Sequence, residues 1–207
     1  MKTPTLHLAI LCGAVATGTS AAEFDELEHC PGSPAYKHAQ CAMVVTFPSN
    51  SCEEVAEEIL SRMTNPSWID PHNAGEYTIV QDNNNDGEDI ATIASSVIRG
   101  ERITGDQRYT DKFIMNFIPS GGGSAMVASG TTTGTATSSS CKVMACSQSQ
   151  VFSILDFSTN YCNMRNLYCS SKDGCVVEKF DISEYEEEYS ECKQNEKDKC
   201  IVATSGQ

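Results

Sequence analysis

The chain has few basic residues: 14 lysines and arginines stand against 28 aspartates and glutamates, which gives a formal net charge of −14 over 207 residues. Such an acidic surface repels phosphate backbones and anionic lipid, so we predict no nucleic-acid binding, and we expect cations or basic partners to be attracted. No segment approaches the ~20 consecutive apolar residues that a transmembrane helix needs. We therefore predict no membrane insertion.

The sequence patterns of common catalytic sites are also missing. There is no GxSxG, no HExxH, no phosphate-binding P-loop and no glycine fingerprint opening a helix. Neither a paired CxxC nor a nearby HxxxH points to zinc. We therefore predict no cofactor, no metal centre and no catalytic residue, and the sequence favours a non-enzymatic protein.

The first residues are typical of a secretory signal peptide. Lys2 precedes an apolar run from Leu6 to about Ala16, and small residues end at Ala22 before the acidic Glu23. We predict that residues 1–22 are removed and that residues 23–207 form a single disulfide-stapled domain. The predicted localisation is secreted and extracellular.

Eleven cysteines are present, of which Cys12 falls in the predicted signal peptide. The remaining ten are an even number, which in a secreted chain predicts five disulfides and leaves no free thiolate for a Cys/His enzyme. Spacing does not decide how they pair. Because residues 53–140 contain no cysteine, we expect packing to hold that stretch and both ends to be stapled onto it. The ten cysteines are Cys30, Cys41, Cys52, Cys141, Cys146, Cys162, Cys169, Cys175, Cys192 and Cys200.

Local patterns predict one helix followed by strands. Ser51 and Glu54 have the spacing of a capping box, and apolar residues recur at helical spacing from there to about Met63. The period then changes to two, with a turn at Gly105-Asp106. We predict an α+β fold, in which one N-terminal helix packs on an antiparallel four-stranded meander with disulfide-rich N- and C-terminal segments. The predicted strands are 75–81, 92–104, 109–118 and 142–145.

The remaining segments differ in composition. Residues 119–140 are rich in Gly, Ser and Thr and carry no charge, so we predict a flexible insertion in a hairpin, with a domain boundary as the alternative. The apolar run 151–157, VFSILDF, is predicted as a strand, and a short helix is predicted to start at Ser158 or Thr159. The acidic stretch 181–191 is predicted as a surface helix, because its apolar residues share one helical face.

The segment QDNNNDGEDI, residues 81–90, resembles the front half of a calcium loop. Asp82, Asn84, Asp86 and Gly87 occupy ligand and glycine positions, but Ile93 stands where the bidentate carboxylate is needed. Asn, Asp and Gly also favour tight turns because they tolerate positive φ. We predict an exposed turn, with weak cation binding as the alternative.

Two further loops gather polar side chains. SWIDPHNAGEY brings a histidine, a carboxylate and the sole tryptophan together, either as a polar site or as a turn in which the tryptophan closes the end of the helix. DFSTNYCNMRNLYC concentrates amides, which suit sugar or peptide recognition and also satisfy buried backbone groups. The candidate binding residues in these loops are Trp68, Asp70, His72, Asn73, Asn160 and Asn163.

Three strings carry a family likeness: DPHNAGEY, TGDQRYTDKFIMNF and CKVMACSQSQVFSILDFSTNYCNMRNLYC. They span most of Ser51 to Cys175 and resemble uncharacterised small secreted cysteine-rich proteins of algae and related protists. The resemblance implies no activity, ligand or catalytic residue. Separately, a helix followed by a meander is similar in outline to cystatin-like folds. The QxVxG loop of cystatins is matched only in part by QSQVFS, residues 148–153, which lacks the glycine.

These observations predict a non-enzymatic extracellular domain that binds an extracellular protein or glycan through acidic and amide-rich loops. One alternative is a cystatin-like protease inhibitor, whose wedge would be made by the 82–89 turn and the loop near Trp68. A second alternative is a hydrolase that uses Asp70 and His72, which predicts that these two side chains converge in a cleft.

Overall fold

The structure is a computed structural model that describes residues 30–31, 37–80, 97–120 and 140–202. The predicted signal peptide, the 82–89 turn and most of the Gly/Ser/Thr-rich insertion lie outside the described residues.

The described elements form one sheet with helices. Six strands pair antiparallel in the order β2-β3-β4-β5-β1-β6, so the predicted α+β class is confirmed. In chain order the elements are β1 (Gln40–Phe47), α1 (Cys52–Thr64), β2 (Glu76–Ile79), β3 (Val97–Ile103), β4 (Thr110–Ser120), β5 (Ser140–Ser149), α2 (Thr159–Arg165), a 3-10 turn (Ser171–Asp173), β6 (Glu186–Tyr189) and α3 (Lys197–Cys200).

The four predicted strands are present as the meander β2 to β5, but the predicted number of four is wrong. The strand β1 lies inside the sheet, between β5 and β6. Its residues AMVV are all buried, so the run is apolar without alternation and lacks the period of two that a half-buried strand shows. The second missing strand, β6, replaces the helix predicted over residues 181–191.

The helix α1 begins as predicted. The Ser51 hydroxyl accepts a hydrogen bond from Glu54 N at 3.2 Å, and the Glu54 carboxylate accepts from Ser51 N at 3.0 Å, which is the capping box. Val55, Ile59 and Met63 are buried in the core between this helix and the sheet. The predicted fold with one helix is incomplete. The α2 helix begins at Thr159, where a short helix was predicted, and α3 was not predicted.

The predictions for two later segments are corrected. Residues 151–157 are not a strand but an irregular loop. At β6 the strand residues Glu187 and Tyr189, together with Tyr185 just before the strand, are spaced by two and contact α2 by hydrogen bonds or ring packing, so the period is that of a strand. The side chain of Glu187 is polar but almost fully buried, so a pattern based on hydrophobicity does not show this period of two.

All ten cysteines of the predicted mature chain are paired, as expected. The five bridges are Cys30–Cys146, Cys41–Cys192, Cys52–Cys141, Cys162–Cys200 and Cys169–Cys175. Three of them join the N-terminal part of the chain to its C-terminal half, and two lie within the C-terminal half. The ends are therefore tied mainly to each other, and not to the cysteine-free stretch as expected. Among the described helices, none has the length and apolar character that a membrane crossing requires.

Candidate functional site

The loop that contains Asp70, His72 and Asn73 is held by one arginine. Arg102, on β3, donates from Nε to Asp70 Oδ2 at 2.9 Å and from Nη2 to Asn73 Oδ1 at 2.7 Å. Neither Asp70 nor Arg102 has exposed side-chain surface. The other carboxylate oxygen of Asp70 accepts from His72 N at 3.1 Å and from Asn166 Nδ2 at 2.8 Å. Both oxygens of Asp70 are thus engaged in holding the loop.

His72 is buried beside this ion pair. Its Nδ1 lies 2.7 Å from Lys199 O, and its Nε2 lies 3.4 Å from Thr159 Oγ1. Burial lowers the pKa of His72 below its ordinary value of 6.5, so the ring is neutral at physiological pH. Asp70 and His72 are adjacent, but neither lines the open cleft described below. Their placement gives the hydrolase hypothesis no support.

Trp68 closes one end of the core. Its Nε1 donates to Val176 O at 3.1 Å, and its ring lies 5.9 Å from that of Tyr77. Only 8% of its surface is exposed. The structure therefore gives Trp68 a packing role.

Asn160 and Asn163 are buried between α2 and the sheet. Ser147 joins them, because its hydroxyl donates to Asn160 Oδ1 at 2.8 Å and accepts from Asn163 Nδ2 at 3.1 Å. Asn163 Nδ2 also donates to Asp111 Oδ2 at 2.9 Å, and Asn160 Nδ2 donates to Ala39 O at 3.1 Å. The amides satisfy buried polar groups, as one of the two sequence-based interpretations proposed.

An open cleft of about 950 Å³ lies elsewhere among the described residues, at the end of the sheet. It is bounded by the start of β1, the end of β5, residues 153–156 and residues 190–194. Its charges balance, since Lys37 and Lys193 stand against Asp156 and Glu191. No Phe, Tyr or Trp side chain is among the described residues that line it, although His38 is. The cleft thus offers amides, mixed charge and aliphatic side chains.

One wall of the cleft belongs to an exposed apolar segment, residues 151–157, which we call the apolar loop. Five large apolar side chains in these seven residues are 37% to 71% exposed. They are Val151, Phe152, Ile154, Leu155 and Phe157. Surfaces of monomeric soluble proteins seldom expose so many apolar groups together without a binding role.

The backbone of the apolar loop is fixed although its side chains are exposed. Ser153 N donates to Lys37 O at 3.2 Å, and the Ser153 hydroxyl accepts from Ala39 N at 2.9 Å. At the other end Asp156 N donates to Gln194 Oε1 at 2.9 Å. The loop presents its apolar groups in one conformation, which reduces the entropy lost on binding.

The loop ends in an unfavourable backbone conformation. Phe157 and Ser158 have φ of 52° and 68°, in the left-handed region that bulky side chains rarely adopt. Glu196 compensates at this corner, since it accepts a hydrogen bond from the Ser158 hydroxyl and its backbone N–H donates back to that hydroxyl at 3.2 Å. Strain of this kind collects at functional sites, and Phe157 at this corner has 71% of its surface exposed.

None of the six predicted site residues lies in the cleft or the apolar loop. The sequence signal for the loop was the run VFSILDF, which is as apolar as a buried strand and was interpreted as one. Within the described part of the chain, no group of three or more His, Cys, Asp or Glu side chains is placed to hold a metal ion. Comparison of the chain with protein-family models, with curated proteins and with solved structures finds no match.

Proposed function

We propose that this protein is a secreted, non-enzymatic binding protein whose binding face consists of the apolar loop and the cleft beside it. The observation that carries the proposal is the exposure of five large apolar side chains on a loop whose backbone is held at both ends. A fixed apolar surface next to a polar cleft is the arrangement of a protein-binding site, with an apolar centre and a polar rim.

Secretion is supported by the five disulfides, which form and persist in oxidising compartments. The apolar N-terminal run between Lys2 and Ala22 supports the same proposal as a signal peptide.

The lining favours a protein partner over a glycan. No Phe, Tyr or Trp is among the described residues that line the cleft. The exposed apolar groups beside it include the aliphatic side chains of Val151, Ile154 and Leu155, which suit apolar side chains of a protein. The edge strand next to the cleft exposes Glu186 and Glu188, and the whole chain carries a net charge of −14. The partner should therefore combine an apolar contact with basic flanking residues, since opposite charges steer association.

Cystatin-like inhibition remains a second candidate because of one observation. The segment QSQVFS, residues 148–153, runs along the binding face: Gln148 lines the cleft, and Val151 and Phe152 are exposed. An assay with papain tests it directly. Inhibition by micromolar protein that is lost on Phe152→Asp supports this candidate, and full papain activity at that concentration removes it.

The test of the main proposal is selection of linear peptides from a phage-displayed library on the folded, oxidised protein. We expect enriched peptides to contain apolar residues flanked by Lys or Arg. Leu155→Asp should weaken their binding by about tenfold or more, because a buried leucine side chain contributes roughly 1.5–3 kcal/mol.

Val176→Asp is the matched control, since Val176 and Leu155 are 62% and 63% exposed and Val176 does not line the cleft. Failure to enrich any peptide, or equal losses for the two substitutions, would overturn the proposal.

A further inference from the structure

The hydrogen bonding of β1 alternates along the strand and determines which way Gln40 points. The carbonyl of Ala39 accepts from Ser149 N on β5 at 3.0 Å, whereas Ala42 N donates to Glu191 O on the opposite side at 3.3 Å. Because successive residues of a strand direct their backbone groups to opposite neighbours, Gln40 faces the same side as Ala42. On that side β1 pairs with β6 further along the strand, but β6 does not extend as far as Gln40.

The sheet is open at this point. Pairing of β1 with β6 begins at Met43, and among the described residues the hydrogen bonds that continue it reach Ala42 and go no further toward Gln40. Beyond β6 the chain is held by the Cys41–Cys192 disulfide, and the cleft is bounded by Gln40 on one side and residues 190–194 on the other. The backbone N–H and C=O of Gln40 therefore form a short sheet edge inside the cleft.

The side chain of Gln40 is already engaged. Its amide donates to the Glu191 carboxylate, so the backbone of Gln40 is the part available to a ligand. The long outer edge of the sheet at β6 differs, because three consecutive glutamates, Glu186 to Glu188, occupy it. Charged side chains of this kind protect an edge from pairing with another chain.

We infer that the cleft takes an extended polypeptide segment, which adds to the sheet by pairing with the backbone of Gln40. This inference rests on the proposed function and specifies its ligand. Strand addition gives affinity through main-chain hydrogen bonds, and pockets for alternate side chains give selectivity. Alternate residues of the peptide would face Ile154 and Leu155, which line the cleft and are more than half exposed. Basic residues at its end would meet Glu186 and Glu188.

The first experiment compares two substitutions at one position, with a peptide selected on the wild-type protein as the probe. Gln40→Pro removes the backbone N–H, and proline is tolerated at the first residue of a strand. Gln40→Ala removes only the side chain. We expect Gln40→Pro to weaken peptide binding by about tenfold and Gln40→Ala to change it by less than about threefold. Circular dichroism and the mass of the fully oxidised protein verify that both variants fold.

The second experiment uses the unmodified protein, so it does not depend on folding of a variant. Saturation with the selected peptide should slow amide hydrogen exchange at Gln40, while Cys41, whose N–H faces β5, should be unchanged. In addition, N-methylation at successive peptide positions should weaken binding at one position and leave its neighbours unchanged, because only the peptide N–H opposite Gln40 can donate to the Gln40 carbonyl.

The possible results separate the two proposals. If no peptide is selected, the proposed function and this inference both fall. If a peptide binds and Leu155→Asp abolishes binding, while Gln40→Pro and N-methylation have no position-dependent effect, the inference alone is overturned. A concentration-dependent dimer that Gln40→Pro abolishes would also overturn it, because a second copy of the chain would then occupy the edge.

Discussion

Glu58 and Arg62 lie one turn apart on α1 and form an ion pair with no exposed side-chain surface, in which Arg62 Nε donates to Glu58 Oε1 at 2.7 Å. Arg62 also donates to Asn166 O at 2.8 Å and to Cys169 O at 2.9 Å. The Glu58 carboxylate accepts the backbone N–H groups of residues 178–180. The pair therefore fixes the irregular C-terminal half of the chain to the first helix.

Replacing Glu58 by glutamine should destabilise the protein strongly. The substitution leaves the Arg62 guanidinium buried without its counter-charge, a change that typically costs about 3–5 kcal/mol. The neighbouring Glu57→Gln is the control, because Glu57 pairs with Lys179 at a site where both side chains are about half exposed, and such pairs contribute about 0–1 kcal/mol. Urea unfolding with the disulfides intact measures both. An equal decrease in unfolding free energy for the two variants would contradict this role of Glu58.

Glu187 should make stability sensitive to acid. Burial acts to raise the pKa of Glu187, but hydrogen bonds from Lys197 Nζ at 2.8 Å, Tyr168 at 2.7 Å and Tyr189 at 2.8 Å outweigh it and hold that pKa below its ordinary 4.5. A carboxylate with a depressed folded-state pKa contributes stability that is present above pH 4.5 and is lost as the pH falls through the folded-state value.

We therefore expect Glu187→Gln to cost about 2 kcal/mol at neutral pH and less as the solution is acidified below pH 4.5. Unfolding free energies measured across this range verify the slope. The exposed neighbour Glu188 supplies the control as Glu188→Gln, which should change the unfolding free energy by no more than about 0.5 kcal/mol. A constant difference between Glu187→Gln and the wild type would show that this carboxylate is not linked to acid stability.

Asp111 should change stability with pH in the opposite direction to Glu187, so that stability falls as the pH rises. Burial raises the pKa of Asp111 above its ordinary 3.8, although Asn163 and Ser149 donate hydrogen bonds to it. Its stabilising contribution is therefore full below pH 3.8 and is lost as the pH rises through the folded-state value. Asp111→Asn should raise the unfolding free energy at neutral pH, because it removes a buried charge, and it should remove this slope. Thermal unfolding measured against pH tests the sign, and a lower melting temperature than the wild type at neutral pH would refute it.

Much of the fold was predictable where side chains follow a simple period. The α1 helix has both a capping box and a regular apolar face, and β2 and β3 alternate between more and less covered residues. The strand β1 was missed because its residues 41–45 are buried without alternation. The strand β6 was missed because the carboxylate of Glu187 is satisfied inside the protein by Tyr161 and Tyr168, partners that lie far away in sequence.

The candidate site was predictable only in part. Polar clusters at Asp70 and Asn160 were recognised, but a pattern of polar residues does not show whether their partners are a ligand or the protein itself. Here the partner of Asp70 is Arg102, 32 residues away, and Asn160 reaches Ala39, 121 residues away. The exposed loop 151–157 was predicted as a strand because short apolar runs are typical of strands, whereas here its apolar side chains are exposed.

The disulfides should differ in their contribution to stability according to the chain they enclose. Cys52 and Cys141 are 89 residues apart, whereas Cys169 and Cys175 are six apart. Loop-closure entropy predicts that replacing the first pair by alanine costs about 2 kcal/mol more than replacing the second. Guanidinium unfolding of the two double variants measures this difference. A larger loss for the Cys169 pair would show that local structure outweighs chain entropy here.

Photo-crosslinking maps the binding face most directly. A peptide selected on the oxidised protein is synthesised with a benzophenone in place of its apolar residue, irradiated in complex and located by mass spectrometry of the digested adduct. Adducts are expected within residues 37–40, 148–157 and 190–194, with little labelling near Val176. Adducts concentrated outside these segments, or equal labelling of the reduced and unfolded chain, would contradict the assignment of the apolar loop and cleft as the binding face.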